Sequence, residues 1–176
     1  GPPVVVRDGF DQESVGHTPA NGLTWGPDGW LWGRHGIQGT SRIGPPGSAD
    51  SQRVQINTGS WRYHPGRRVV EKVIDGMTNS WGTDFDSHGE TFVINTVIGH
   101  LWHAVYGSHV ERMYGTDLEP HVYDLIPQVA DHVHWQTGEA WSDVRDGISD
   151  GTRAAGGGPA HIGPLIDQGA PWPEAY

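Results

Sequence analysis

The chain has 176 residues, with 27 glycines, 13 prolines and nine tryptophans, a composition typical of one turn-rich β domain with aromatic packing between sheets. Its formal net charge of −10 argues against a nucleic-acid partner. The absence of cysteine excludes disulfides, thiolate catalysis, zinc sites with cysteine ligands and covalent haem attachment within this chain.

The first elements predicted along the chain form a four-stranded unit over about residues 21–76. Residues 21–33 have the pattern of a hairpin, in which two short strands flank a Gly-Pro-Asp-Gly turn. Residues 58–64 and 68–74 add two further strands around a Pro-Gly turn. The segment over residues 34–57 has no hydrophobic period, so a long loop is predicted there.

A second unit is predicted from residue 79 to about residue 114. Its centre is rich in β-branched residues and phenylalanine, which suit the pleated surface of a sheet. The unit is expected to contain four strands, over residues 83–85, 91–97, 101–106 and 109–114.

The two units repeat one pattern at a fixed spacing. Gly29 and Gly89 end equivalent turns and stand 60 positions apart, and the same offset places Trp25 on Phe85. A degenerate repeat of short strands is typical of propeller blades. The alternative is two similar hairpins in an ordinary β-sandwich.

The rest of the chain is predicted as a long irregular loop over residues 116–158 and the start of a third blade over residues 160–176. We therefore interpret residues 1–176 as a single all-β domain, a partial β-propeller. Two blades and the start of a third cannot close a ring. Its open edges invite self-association or pairing with blades elsewhere in a longer protein.

Seven short motifs support a family resemblance. In chain order they are Thr24-Trp-Gly-Pro-Asp-Gly-Trp-Leu31, Trp61-Arg-Tyr-His-Pro65, Thr78-Asn-Ser-Trp-Gly82, Asp84-Phe-Asp-Ser-His-Gly89, Gly99-His-Leu-Trp-His103, Ala130-Asp-His-Val-His-Trp135 and Gly156-Gly-Gly-Pro-Ala-His161. Together they resemble the propeller domain of bacterial membrane-bound dehydrogenases, which is similar to sorbosone and soluble glucose dehydrogenases. The resemblance covers about residues 4–176.

The resemblance implies a six-bladed propeller in a larger secreted or periplasmic protein, often with a c-type haem domain, although this chain contains no signal peptide. It implies oxidation of a sugar or related alcohol with pyrroloquinoline quinone and calcium. His17, shortly before the Gly-Pro-Asp turn, corresponds to the catalytic base. Thr78-Asn79 stands where relatives have Arg-Asn, so Asn79 is retained for substrate or cofactor binding but the quinone's cationic partner is missing.

Further site residues are expected in the loops that line the mouth of a propeller. Arg34 and His35 end an inner strand and are candidates for positioning substrate or cofactor. His132 and His134 point to one side of an extended segment and, with His161, are candidates for holding a divalent metal ion. Alternatively, these histidine rings bond loop backbone groups.

Two functions follow for the chain. The first is a dehydrogenase domain in which His17 takes a hydroxyl proton from a sugar or alcohol, and the retained His17 and Asn79 favour it. The second is a non-catalytic propeller module that binds carbohydrate or a protein partner, and the missing cation at Thr78 favours it. Both hypotheses predict that the site residues converge in one mouth.

Overall fold

The computed structural model describes residues 1–96, 99–131, 133, 137–140, 147–154 and 162–169. Strands predominate over helices in these residues, which confirms the all-β class. The strands are β1 (Asn21–Trp25), β2 (Leu31–His35), β3 (Ser41–Ile43), β4 (Val54–Ile56), β5 (Gly59–His64), β6 (Val69–Met77), β7 (Ser80–Phe85), β8 (Thr91–Asn95), β9 (Leu101–His103) and β10 (His109–Arg112). The helices are α1 (Gln12–Val15) and α2 (Asp150–Ala154), with a 3₁₀ turn at Asp50–Gln52.

The first sheet has the strand order β1-β2-β5-β6-β10. Its first four strands are antiparallel, as predicted for the unit over residues 21–76. The predicted loop over residues 34–57 is partly wrong, because β3 and β4 pair in it as an antiparallel hairpin. That hairpin has an apolar reason to form, since Ile43 and Ile56 are fully buried with Trp61 against the first sheet.

The second sheet has only three strands, in the order β7-β8-β9. The prediction of a fourth strand over residues 109–114 in this unit is wrong, because β10 pairs in parallel with β6 of the first sheet. Two features explain this pairing. A Cβ at position 76 would overlap with the Val110 carbonyl, so glycine at this position lets β10 approach β6. Val110 itself is fully buried in the core shared by both sheets.

The two hairpins repeat at the predicted offset. Gly29 and Gly89 have φ of 77° and 84°, and each donates a backbone hydrogen bond, of 3.1 and 3.0 Å, to the residue three positions earlier. The repeat does not extend to side-chain surroundings. Phe85 packs edge-on against Trp32 at 5.3 Å between ring centroids, whereas Trp25 is 62% exposed.

Strand β7 lies between the first sheet and a later segment of the chain. One side of β7 packs against β1 and β2. On the other side, the Asp84 carboxylate accepts a 2.7 Å hydrogen bond from the Ile166 amide, and Gly82 leaves room for Pro164. Residues 162–169 therefore cover β7 without forming a strand, so the strand predicted within 160–176 is wrong for its described part.

The main core lies between the two sheets. It consists of Trp30, Trp32, Val73, Ile74, Met77, Val93, Trp102, Ala104 and Val110. Trp30, Trp32 and Trp102 pack between the units as predicted, whereas Trp25, for which the same packing is predicted, is 62% exposed. None of the helices formed by the described residues has the length and hydrophobicity needed to cross a lipid bilayer.

Candidate ligand-binding site

Strand β7 connects three of the residues singled out in the sequence. Trp81 lies against His17, with ring centroids 6.0 Å apart and planes inclined by 27°. The indole N–H of Trp81 donates a 2.8 Å hydrogen bond to Oδ1 of Asn79. Two positions further along, Thr83 Oγ1 accepts a 2.7 Å hydrogen bond from Nη1 of Arg34. His17, Asn79 and Arg34 thus each contact a residue of β7.

A short helix places His17 beside this strand. Helix α1 is capped by Asp11, whose carboxylate accepts a 2.9 Å hydrogen bond from a backbone N–H in the first turn. The helix ends at Gly16, which has a φ of 61°. Thr18 then ties the loop to the first sheet, since its carbonyl accepts a 3.0 Å hydrogen bond from the Gly36 N–H. His17 itself stays exposed between these two anchors.

A pocket of about 240 Å³ opens beside these residues. Its lining consists of His17, Thr18, Ile37, Gln38, Thr78, Asn79, Met113 and Tyr114. The structure thus brings together two predicted site residues that are distant in sequence, His17 and Asn79. Thr78 is buried beneath them, where its carbonyl accepts a 2.9 Å hydrogen bond from the Ile37 N–H.

The pocket presents hydrogen-bonding groups together with apolar surface. The ring nitrogens of His17 and the amide NH₂ of Asn79 have no hydrogen-bond partner among the described residues. Tyr114, which is half exposed, contributes an aromatic ring to the lining. Such a combination suits a small ligand that offers both hydroxyl groups and apolar faces.

The described lining of this pocket lacks the charged groups expected for the quinone and calcium that the family resemblance implies. A quinone with several carboxylates requires cations, and Ca²⁺ requires several oxygen ligands, usually including carboxylates. The described lining contains no Lys, Arg, Asp or Glu. Thr78 therefore leaves the expected cation without a substitute in this pocket.

The proposed metal ligands His132, His134 and His161 lie outside the described residues. Within the part of the chain that the structure describes, no group of three or more His, Asp or Glu side chains is arranged to hold a metal ion.

Arg34 is a buried cation at the junction of β1, β2 and β7. Only 3% of the residue is exposed, and burial lowers its pKa to about 10, so it remains charged at neutral pH. Its Nε donates a 3.3 Å hydrogen bond to Oδ1 of Asn21, in addition to the bond to Thr83. The described residues place no carboxylate within ion-pair distance of this guanidinium.

His35 is oriented differently from its neighbour Arg34. It is fully buried, with Nδ1 2.7 Å from the Gly36 carbonyl and Nε2 2.7 Å from Ser41 Oγ. A carbonyl only accepts, so Nδ1 carries the proton and Nε2 accepts from the Ser41 hydroxyl. Burial also lowers the pKa of His35. The structure therefore places this residue in the interior, away from the pocket and without solvent contact.

The sequence interpretation missed three residues of this region. The sequence predicts packing for Trp81, with a sugar-stacking face as the alternative, and singles out neither Asn21 nor Thr83 as a site residue. Asn79, Trp81 and Thr83 stand two positions apart in the sequence, a spacing typical of one strand face. The β-bulge between Ser80 and Gly82 interrupts that alternation, so the spacing alone does not predict their contacts.

A larger cleft of about 700 Å³ lies between the turns of the two hairpins. Arg62 crosses it, forming ion pairs of 2.9 Å with both Asp28 and Glu71 and lying 4.2 Å from the Trp30 ring centroid. Tyr106 of the second unit donates a 3.0 Å hydrogen bond to Glu71. Because these charged groups already satisfy one another, we interpret this cleft as a contact that joins the units.

Comparison with known families gives one match. Residues 4–175 match the profile of DUF7133, described as a domain of unknown function. No curated protein and no solved structure matches the chain.

Proposed function

The chain belongs to the DUF7133 family, and we propose that this domain binds a small hydroxylated ligand of the sugar class in the pocket beside His17. The observation that carries the proposal is the arrangement of His17, Trp81 and Asn79. An exposed imidazole lies against an indole, and the indole hydrogen bond orients an amide whose NH₂ has no partner among the described residues.

This arrangement suits sugars for two physical reasons. Aromatic rings cover the apolar faces that sugar rings present, and they lose little conformational freedom when they do so. Amide and imidazole groups exchange hydrogen bonds with hydroxyl groups in either direction, since each offers donor or acceptor atoms. The pocket lining has no Lys, Arg, Asp or Glu among the described residues, so the ligand's hydroxyl groups need not compete with a neighbouring ion pair.

The proposed architecture around this site is propeller-like. Supporting it, the two hairpins repeat at the same offset, β1 and β7 pack against each other, and residues 162–169 cover the far side of β7. In this arrangement β1 and β7 are inner strands, and the pocket lies where a loop before one unit meets the first strand of the next.

Oxidation of the bound sugar is the second candidate function. The observation in its favour is that His17 is exposed and its ring nitrogens have no partner among the described residues, as a general base requires. His17 would accept the hydroxyl proton, while the hydride would need an electron acceptor. We derive no step through the quinone, because Thr78 stands at the position of its cationic partner and the described lining holds no carboxylate for calcium.

Titration calorimetry of the purified chain with glucose, galactose and the corresponding sugar alcohols tests the binding proposal. Trp81→Ala should weaken binding at least about fivefold, because it removes the ring that packs against His17 and the hydrogen bond that orients the Asn79 amide. Trp25→Ala is the matched control, since Trp25 is also accessible but lies away from the pocket. Equal affinities of the two variants, or no heat with any sugar, would refute the proposal.

A further inference from the structure

We propose that Arg34 and Asn21 form an anion subsite next to the His17 pocket, and that the natural ligand carries a carboxylate, as a uronic acid does. This inference rests on the sugar-binding function proposed above and specifies the class of sugar. The observation behind it is that hydrogen-bond donors without acceptors surround the buried guanidinium of Arg34.

A buried guanidinium without a counter-charge is unusual in a folded protein. Buried charges are normally paired, because removing an ion from water costs several kcal/mol. Arg34 is 97% buried, yet it has only the neutral partners Asn21 and Thr83 in the described part of the chain. An anionic group of a ligand would provide the missing charge.

Two neighbouring donors also lack acceptors. Asn21 is 93% buried and its Nδ2 has no hydrogen-bond partner among the described residues. The amide orientation is fixed, because a guanidinium only donates and Oδ1 must therefore face Arg34. Nη2 of Arg34 likewise has no partner there. A site built from unfilled donors around one positive charge is suited to an oxyanion.

The position of Gly22 gives this site access to the surface. Gly22 is exposed, and Nη2 of Arg34 occupies the space that a side chain at this position would fill. The guanidinium edge therefore lies directly beneath a position without a side chain. Any larger residue at position 22 would displace it, so glycine at this position leaves the cation within reach of a ligand.

Strand β7 links the subsite to the sugar pocket, because Thr83 binds Arg34 and Trp81 binds the pocket residue Asn79. Arg34 binds Thr83, which follows Trp81 by two residues, just beyond the β-bulge between Ser80 and Gly82. A monosaccharide bound beside His17 and Asn79 would extend a terminal carboxylate along β7 towards Arg34. We favour a carboxylate over a phosphate, because one guanidinium matches its single charge and its planar fork geometry.

The test compares glucose, glucuronate and glucose 6-phosphate by calorimetry with the full chain. Wild-type protein should bind glucuronate about tenfold more tightly than glucose. Arg34→Gln should remove that difference, while Arg62→Gln, which removes a cation from the other cleft, should preserve it. Equal affinities of wild-type protein for glucose and glucuronate would overturn the subsite while leaving the sugar pocket intact.

A second variant keeps the test informative if Arg34→Gln does not fold. Asn21→Asp places a carboxylate beside the guanidinium and should abolish the preference for glucuronate while raising the unfolding temperature. Retention of the glucuronate preference in Asn21→Asp would contradict the proposal. Preferential binding of glucose 6-phosphate would overturn the carboxylate assignment, and failure of all three ligands would refute sugar binding itself.

Discussion

Replacing Gly22 with alanine should destabilise this protein through both backbone strain and displacement of a buried cation. Gly22 has a φ of 56°, and the space for its missing side chain is filled by Nη2 of Arg34. An added methyl group must therefore both adopt a left-handed conformation and push the guanidinium away from Asn21 and Thr83.

The expected loss has two parts. A non-glycine residue in the left-handed region costs about 1–2 kcal/mol. The hydrogen bonds from Arg34 to Asn21 and Thr83 involve a charged group, and such bonds contribute roughly 1.5–3 kcal/mol. Hydration of the displaced guanidinium regains part of the second term, so we expect the free energy of unfolding to fall by roughly 2–4 kcal/mol.

Urea unfolding of Gly22→Ala and Gly29→Ala provides the measurement and its control. Gly29 has a φ of 77° but no atom within 4 Å of the position a Cβ would take, so its substitution tests backbone strain alone. In an Arg34→Gln background, the extra cost of Gly22→Ala should shrink. Equal losses for the two glycine variants in the wild-type background would refute the placement of Arg34 against Gly22.

Three further perturbations test other parts of the fold. Burial lowers the pKa of His35 below its ordinary value of 6.5, so the unfolded chain binds protons that the folded chain does not. Stability should therefore fall as the pH decreases below about 6.5, and His35→Gln should reduce this slope in urea midpoints measured between about pH 7 and 5. Arg62→Met should cost about 1–2 kcal/mol by loss of its ion pairs and ring contacts, whereas Arg67→Met at an exposed position should be nearly neutral in the same assay. Gly76→Ala should cost more than about 2 kcal/mol and reduce hydrogen-exchange protection at Val110, because the methyl group overlaps with the Val110 carbonyl; unchanged protection would contradict the parallel pairing of β10.

Local features of the fold could be predicted from sequence, and non-local ones could not. The hairpin turns at Gly29 and Gly89 are determined by residues adjacent in the chain, so their repeat could be predicted from the sequence. The pairing of β10 with β6 depends on Gly76 and Val110, which are far apart in sequence and meet only when both sheets pack. The β3–β4 hairpin was missed because its strands have only three residues each.

The site shows the same division. Family motifs pointed to His17 and Asn79, and the structure places both at one pocket. Arg34 and His35 were proposed as a pair, although successive residues of a strand face opposite sides and cannot readily serve one ligand. Arg34 faces β7, where Thr83 accepts its hydrogen bond, whereas the ring of His35 is bound by Ser41 in the interior.

The Trp81 indole N–H provides the most direct measurement of the proposed function. It is hydrogen-bonded to Asn79 and lies beside His17, so a ligand in the pocket should shift its resonance in two-dimensional ¹H–¹⁵N NMR spectra. We predict saturable shifts of the Trp81 indole and Asn79 amide signals upon titration with glucuronate, with Trp30 unaffected. Shifts confined to Trp30 and the Arg62 cleft, or an unchanged Trp81 signal at saturating ligand, would contradict the proposed site.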